Sequence, residues 1–416
     1  MNLQNDALST WSAGKKILFR FFATYFLFYL VNNLGIMGFP SDAPVTWMGK
    51  LLIKRDFQIE YRPGGSGDTT YNYLQMCCLI AWSLFVTIVW SLLDRKRKSY
   101  DRLLYWTMVL FRYGLATIMI GYGMAKVVKT QFPFPPLMRL DQTIGDMSPM
   151  GLAWTYMGYS TGYNLFTGFA ECFCGVLLFF RRTRLLGALM SILVTLNIVM
   201  MNLFYDIPVK LFSTHLLLLS CFIAWPDLQR LISFFVLNKP VPAANHWRPV
   251  FKTKWKRIVF VGLKYAFLAF YLYTTITGGM EMDRMYVRKT IPPLYGIYEV
   301  KSVTCDTAGL SNSLINNFKF WQKVYLDKDN QMAARKKDDM QYYDMKIDST
   351  KHLLTYWSSQ TDSVAMHYSI PSKDTLYLNG KIGSDSIHVV LKRKDPNDFA
   401  LISRGFHWIN EYPYNR

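Results

Sequence analysis

Charged side chains set inside long apolar runs are the residues best placed to do chemistry in this chain. Arg112 lies well inside one such run, Glu171 near the middle of the next, and His215 a short way into a later one. Lipid offers them no solvation, so each needs a partner or a function. A second set, Lys126, Asp206 and Lys210, sits at run ends, with Tyr122, Asn197, Asn202, Ser213 and Thr214 able to supply hydrogen bonds. If these runs form one bundle, the six ionisable groups converge on an outward-facing polar pocket. There His215 or Glu171 would handle protons, while Lys126 or Lys210 would hold an anion or carbonyl, which suits a small polar or quinone-like molecule. A structural role is equally open: Arg112 and Glu171 neutralise each other, and Lys126, Asp206 and Lys210 snorkel into the headgroup layer.

Cys172 and Cys174 invite a thiol relay, but residues two apart on a helix point about 200° away from each other, and buried thiols are inert. They are read as packing residues. The six cysteines (77, 78, 172, 174, 221 and 305) contain no C-x-x-C pair, so neither a disulfide framework nor structural zinc is expected. Cys77 or Cys78 would reach Cys305 only if all three share an oxidising side. The six histidines (His215, His246, His352, His367, His388, His407) lack metal-ligand spacing, and no metal site is predicted. G-x-S-x-G, H-E-x-x-H, P-loop and Rossmann patterns do not occur, which removes soluble hydrolase and nucleotide chemistry.

The elements that must position these groups follow from the apolar pattern. Hydrophobic residues make up 51% of the 416, too many for an ordinary soluble protein and too few for a chain wholly in lipid, so a two-part protein is expected. Before Gly279 the apolar residues form runs long enough to cross a hydrocarbon core about 30 Å thick. The predicted spans, about seven, are 17–38, 73–93, 104–128, 161–180, 185–205, 211–235 and 258–277, and the first reads as an uncleaved anchor.

The formal net charge of +19 is concentrated in the same region, which holds 28 Lys and Arg against 12 Asp and Glu. These cations cluster in short loops between spans, as cytoplasmic loops do, so no nucleic-acid partner is expected. Lys15, Lys16 and Arg20 before the first span, and Arg95 to Arg102 between the second and third, set that side. Alternation then puts Arg181, Arg182, Arg184, Lys239, Arg248, Lys252, Lys254, Lys256 and Arg257 on it too. An odd number of spans sends the C-terminal part outside. Two outer connections are distinctive. Residues 39–72 contain a Gly-rich turn at 64–67 and a segment, 45–53, suited to the interface. Residues 129–160 are rich in Phe, Pro, Trp and Tyr, which reads either as an interfacial or re-entrant lid or as an ordinary ordered loop.

After Gly279 the pattern turns to short alternating runs at 294–303, 318–326, 341–347, 353–357, 364–370, 375–380, 386–393 and 399–403. These predict antiparallel strands, with a hairpin through Gly383, Ser384 and Asp385, in a small barrel or sandwich. Its aromatics, among them Tyr295, Tyr298, Trp321, Tyr325, Tyr356, Trp357 and Trp408, read as core packing before cavity lining.

The third to sixth spans resemble the DoxX family of small bacterial membrane proteins. The resemblance rests on residues 112–126 (RYGLATIMIGYGMAK), 168–178 (GFAECFCGVLL, with Glu171), 181–189 (RRTRLLGAL) and the helix beginning at Val209 that carries His215. A longer DoxX-like subgroup also matches 131–135 (QFPFP), 148–159 (SPMGLAWTYMGY) and 205–213 (YDIPVKLFS). Membership implies a four-helix core and a quinone-linked or thiol-linked redox role with a membrane or periplasmic redox protein as partner. The chain departs from the family pattern by two spans before that core, one after it and a whole outer domain. A remoter comparison, with membrane domains of the vitamin K-dependent carboxylase type, finds no matching catalytic lysine.

The expected plan is a multi-pass α-helical membrane protein with a C-terminal antiparallel β domain. Residues 1–103 form a two-helix extension, 104–236 the four-helix core, 237–279 a basic loop and the seventh helix, and 280–416 an extracytoplasmic domain. The leading expectation is a bacterial inner-membrane protein, N-terminus cytoplasmic, that binds a quinone-like or other small hydrophobic redox partner in its core. The alternative is a non-enzymatic anchor or assembly factor whose outer domain does the recognising. A solute transporter is disfavoured, since no span is broken at the midplane and no repeat is evident.

Overall fold

The computed structural model describes residues 10–33, 35–36, 38–53, 67–241, 243–244, 247, 249, 253–287, 290–305, 321–337, 339–358, 361–382 and 385–415. The chain divides into two compact units. One is helical; the other comprises Pro133–Ser148, Trp154–Tyr159 and Met282–Arg416.

The helical unit contains α1 (Ala13–Asn33), α2 (Asp42–Ile53), α3 (Thr70–Leu93), α4 (Asp101–Val127), α7 (Thr161–Phe179), α8 (Arg184–Phe204), α9 (Lys210–Ala224) and α11 (Lys254–Met282). Helical turns through α10 (Leu228–Leu231) carry α9 on to Val236. Among the described residues, six helical stretches are long and apolar enough to cross a bilayer: α3, α4, α7, α8, Lys210–Val236 and Lys254–Met285. The predicted first span forms α1 but is not among the six, because Lys15, Lys16, Arg20, two tyrosines and the closing Asn32 and Asn33 dilute its apolar content.

Arg20 is nonetheless buried, donating to the Tyr100 hydroxyl at 2.7 and 3.0 Å and to Ser91 Oγ at 2.7 Å. The Trp11 indole donates to Asp101 at 2.9 Å. These bonds tie the start of α1 to the turn joining α3 and α4, and from there α1 packs against both helices.

Helix starts are encoded locally. Thr69 and Asn72 form a reciprocal capping box on α3, and Ser160 Oγ accepts the Tyr163 amide at the head of α7. The closest helix pair is α4 with α7. A Cβ on Gly123 would stand 2.6 Å from the Gly168 carbonyl oxygen, and one on Gly168 would stand 2.7 Å from that of Gly123. Only glycine lets these backbones meet, and the contact fixes their antiparallel register. The segment expected at the interface, 45–53, lies in α2, which packs Val45 and Gly49 inward, Val45 clustering with Leu74 and Cys78 of α3. The Gly-rich turn at 64–67 is described only at Gly67.

The aromatic connection after α4 is ordered into α5 (Leu137–Leu140), a single turn Ile144–Asp146 and α6 (Pro149–Tyr159). The second unit is built on a closed barrel of β1 (Gly296–Cys305), β2 (Lys323–Asp327), β3 (Gln331–Arg335), β4 (Met340–Asp348), β5 (Leu353–Ser358), β6 (Thr361–Ser372), β7 (Thr375–Ile382) and β8 (Asp385–Lys394). Every neighbouring pair is antiparallel, and β8 closes on β1 with Ile297 opposite Lys394. The choice between barrel and sandwich is thus settled as a barrel. Inward-facing Tyr298, Val324, Leu326, Met332, Tyr343, Met345, Tyr356 and Met366 belong to one packed core.

Two strand expectations are corrected. Residues 399–403 form a helical turn, because Asp395 caps the preceding turn at Pro396 and directs the chain into it. β3 (QMAAR) was missed, since its composition favours helix; pairing with β2 and β4 on both edges overrides that preference. Residues 318–320 and the hairpin residues 383 and 384 lie outside the described residues.

One stretch of the α4–α6 connection belongs to the barrel's own unit. Leu137 clusters with outward-facing Ile297, Tyr325 and Ala333, and its amide donates to Asp327 at 2.8 Å. Asp141, almost fully covered, accepts from Lys323 at 2.6 Å, Tyr325 at 3.0 Å and Lys394 at 3.1 Å. Burial pushes the Asp141 carboxyl up, but the two lysines and the tyrosine outweigh it and hold it below the usual carboxylate range.

Candidate functional site

The six predicted site residues separate into four places. Lys126 and Glu171 meet in the α4–α7 seam. The lysine ammonium lies 2.8 Å from both carboxylate oxygens, and the residues are 5% and 2% exposed. The rings of Tyr122 and Phe132 flank the ammonium at 6.0 and 5.8 Å. The glycine contact explains this partnership: Gly123 abuts Gly168 and Cys172, so the end of α4 is level with Glu171.

Arg112 does not neutralise Glu171, which corrects the structural alternative. In the same register it stands level with the end of α7, where Tyr113 contacts Phe179 at 5.1 Å, so about 14 Å of helix axis separates it from Glu171. Asp206 and Lys210 pair with each other at 2.9 Å at the start of α9, and the aspartate side chain is 84% exposed.

His215 stands apart from all of these and has its own partners. Its Nδ1 lies 2.6 Å from the Leu211 carbonyl, which can only accept, so Nδ1 carries the proton. In the neutral ring Nε2 is then an acceptor, and the Tyr25 hydroxyl 2.5 Å away donates to it. Tyr29, one turn further along α1, stacks on the imidazole with ring centroids 4.2 Å apart and planes 7° from parallel.

Two cavities share this histidine. The first, about 410 Å³, is lined by Phe21, Phe22, Phe26, Ile80, Leu203 and Leu218, with Tyr73, Lys210 and Thr214 as its polar edge. The second, about 330 Å³, is more polar, lined by Asn32, Asn33, Asp68, Asn72, Gln75 and Tyr122 among others. Tyr25, Met76, Leu211 and His215 belong to both. The histidine and tyrosine therefore form a hydrogen-bonded partition between an apolar chamber and a polar one.

Asp68 fixes the position of α9 in that partition. Its carboxylate accepts the amides of Lys210 at 2.6 Å and Leu211 at 2.9 Å, capping the helix from a remote turn. Its backbone lies in the left-handed region at φ 56°, a conformation held only when surroundings enforce it.

Of the six predicted residues, only His215 and Lys210 line these cavities; Arg112, Lys126, Glu171 and Asp206 do not. Among the predicted hydrogen-bonding residues, Tyr122 lines the polar cavity and Thr214 the apolar one. Asn202 bonds Ser213 Oγ at 2.9 Å between α8 and α9, and Asn197 is exposed. Sequence reasoning missed Tyr25, Tyr29 and Asp68. A signal for the tyrosines was present, since two hydroxyl-bearing rings one turn apart in an apolar helix need partners.

Cys172 Sγ rests 3.7 Å from the Ile120 carbonyl and Cys174 is fully buried, both in packing positions. The Cys305 side chain lies outside the described residues, as do His246, Arg248 and Lys252. Among the described residues, no group of three or more His, Cys, Asp or Glu side chains is arranged to hold a metal ion.

No family model matches the chain, and no solved structure does. The chain is 35% identical over 134 residues to a curated Bacillus subtilis (strain 168) protein described as "Uncharacterized protein YwoB", a match covering 30% of this chain and 79% of that protein. At that identity and coverage, the chain belongs to the family of YwoB.

Proposed function

We propose that this is a DoxX-like inner-membrane protein that binds a small hydrophobic molecule with a quinone-like, carbonyl-bearing head in the apolar chamber beside His215. The observation that carries the proposal is the partition itself. An aromatic-lined cavity suited to a lipid-soluble ring meets a neutral histidine and a tyrosine hydroxyl, and polar groups lie directly behind them. The residues fit such a ligand: Phe21, Phe22 and Phe26 offer ring contacts, and Tyr25, His215, Thr214 and Lys210 offer polar ones to its head. When bound, a quinone supplies reversible two-electron, two-proton chemistry. The protein's part is to bind and orient it, exclude water on the apolar side, and hold a proton between Tyr25 Oη and His215 Nε2.

The four-helix core belongs to the proposal too. Its support is that α4 packs on α7, α7 on α8, α8 on α9 and α9 on α4. The arrangement proposed has the barrel outside and the basic turns in the cytoplasm. Two observations favour it. The barrel unit takes in Pro133–Ser148, just after α4, and Met282 onward, just after α11. Counting α4, α7, α8, α9 and α11 as spans brings both stretches to one side. The start of α1 bonds to the α3–α4 turn, so α1 is taken to cross beside them as a seventh span.

A test is to purify the protein in mild detergent and titrate it with a short-chain naphthoquinone, reading tryptophan fluorescence. Saturable binding by the native protein, and its loss in Thr214→Trp, which fills the chamber, is the expected result. Equal, non-saturating quenching of both proteins would remove the quinone reading. It would leave the anchor reading, which is favoured by the exposed aromatic tail carrying Phe406, Trp408, Ile409 and Tyr412.

A further inference from the structure

Among the described residues, Arg112 is the least explained charge. Its residue is 7% exposed, Nε is buried without a hydrogen-bond partner, and among the described residues no ion pair reaches its guanidinium. Among the described residues its ring contact is with Tyr113, 5.9 Å away. An uncompensated cation buried in a membrane helix is costly enough that a missing counter-charge is the first thing to look for.

Its surroundings add positive charge. Lys264 of α11 lies over the Phe180 ring at 4.7 Å and interacts electrostatically with Arg112. Arg181, on the turn between α7 and α8, and Arg184, the first residue of α8, also act on Arg112. The acid here is Asp227, fully buried and already bonded to both Arg184 and Arg230. Among the described residues, Arg112, Lys264, Arg181 and Arg184 thus act on one another near the end of α7, and the carboxylate of Asp227 is engaged by Arg184 and Arg230.

The apolar side of this place is also incomplete. α11 has no buried residue along its length. It leans on the core through Phe267, against Tyr113 at 5.7 Å and Phe179 at 6.3 Å, and through Tyr271, whose hydroxyl donates to the Thr117 carbonyl at 2.5 Å. Leu263 and Phe270 stay exposed beside the cationic group. A ligand that fits here carries a phosphate at one end and hydrocarbon at the other.

We infer that Arg112 and Lys264 bind the phosphate of an anionic phospholipid, whose acyl chains lie along α11 and secure that helix to the core. The phosphate oxygens accept from the guanidinium as charge-assisted hydrogen bonds, and the Lys264 ammonium adds a point charge. The site is independent of the His215 chamber, so either can fail without the other.

The test uses the full-length protein, delipidated in a zwitterionic detergent and titrated with phosphatidylglycerol, phosphatidylcholine or inorganic phosphate, with binding read by native mass spectrometry. Phosphatidylglycerol should bind one per chain and raise the thermal midpoint, phosphatidylcholine at least tenfold more weakly, and phosphate alone should not protect. Lys264→Gln, on the exposed helix, should weaken phosphatidylglycerol binding several-fold and leave naphthoquinone binding unchanged. Arg112→Gln should abolish the preference, and Arg112→Lys should restore part of it. Equal binding of both lipids, protection by phosphate alone, or native affinity in a folded Lys264→Gln protein would each overturn the assignment.

Discussion

Tyr25 on α1 and His215 on α9 share a hydrogen bond 2.5 Å long, so α1 supplies half of this polar pair. On the proposed function, α1 is therefore part of the site. Removing the tyrosine hydroxyl leaves a buried imidazole nitrogen unsatisfied, which costs about 1–3 kcal/mol. Tyr25→Phe should lower the unfolding midpoint in detergent by that equivalent and weaken naphthoquinone binding. Tyr73→Phe, at the edge of the same chamber, should leave stability near native.

Lys126 and Glu171 are expected to behave as a unit. Breaking a buried pair costs about 3–5 kcal/mol, because it strands a charge. Lys126→Met and Glu171→Gln should each be strongly destabilising, while Lys126→Met combined with Glu171→Met recovers most of the loss. Additive losses in a double-mutant cycle, read by chemical unfolding in detergent, would show that the two do not interact.

Gly168→Leu should separate α4 from α7, because even a Cβ at this position clashes with the Gly123 carbonyl. Overpacking of this kind costs about 1–3 kcal/mol or more. A shifted register would also draw Lys126 away from Glu171, so the loss should exceed that of Gly262→Leu, whose Cβ meets nothing within 4 Å. Thermal midpoints of the two variants provide the comparison.

The attachment of residues 133–148 to the barrel should depend on pH through Asp141. Its carboxyl is held below the ordinary value of about 3.9. The stabilisation it brings is therefore complete above that ordinary value and disappears as pH falls through the depressed one. The Leu137 amide should be well protected from hydrogen exchange near neutral pH, relative to its intrinsic rate at each pH, and should lose that protection in acid. Asp141→Asn should lack that protection near neutral pH and match the native protein in acid; unchanged protection near neutral pH in that variant would refute the role given to the carboxylate.

Much of the architecture was legible because lipid and water impose different patterns: apolar runs mark the six long helices and alternation marks most strands. The failures were of a different kind. The partners of His215 come from α1, far away in sequence, and nothing in local spacing names them. Pairing Arg112 with Glu171 rested on opposite charge alone; the register set by Gly123 and Gly168 gives the carboxylate to Lys126 instead. QMAAR carries no strand signal of its own, and only its two flanking strands make it one.

The barrel's docking stretch has a consequence for biosynthesis. Leu137 and Asp141 emerge from the ribosome long before Tyr325 and Lys394, a delay on the order of tens of seconds at usual elongation rates. For that interval an acidic, apolar hook waits with its receptor unmade. A chain released early, short of β8, would lack Lys394 and the strand that closes the barrel on β1, and the hook's receptor would stay incomplete.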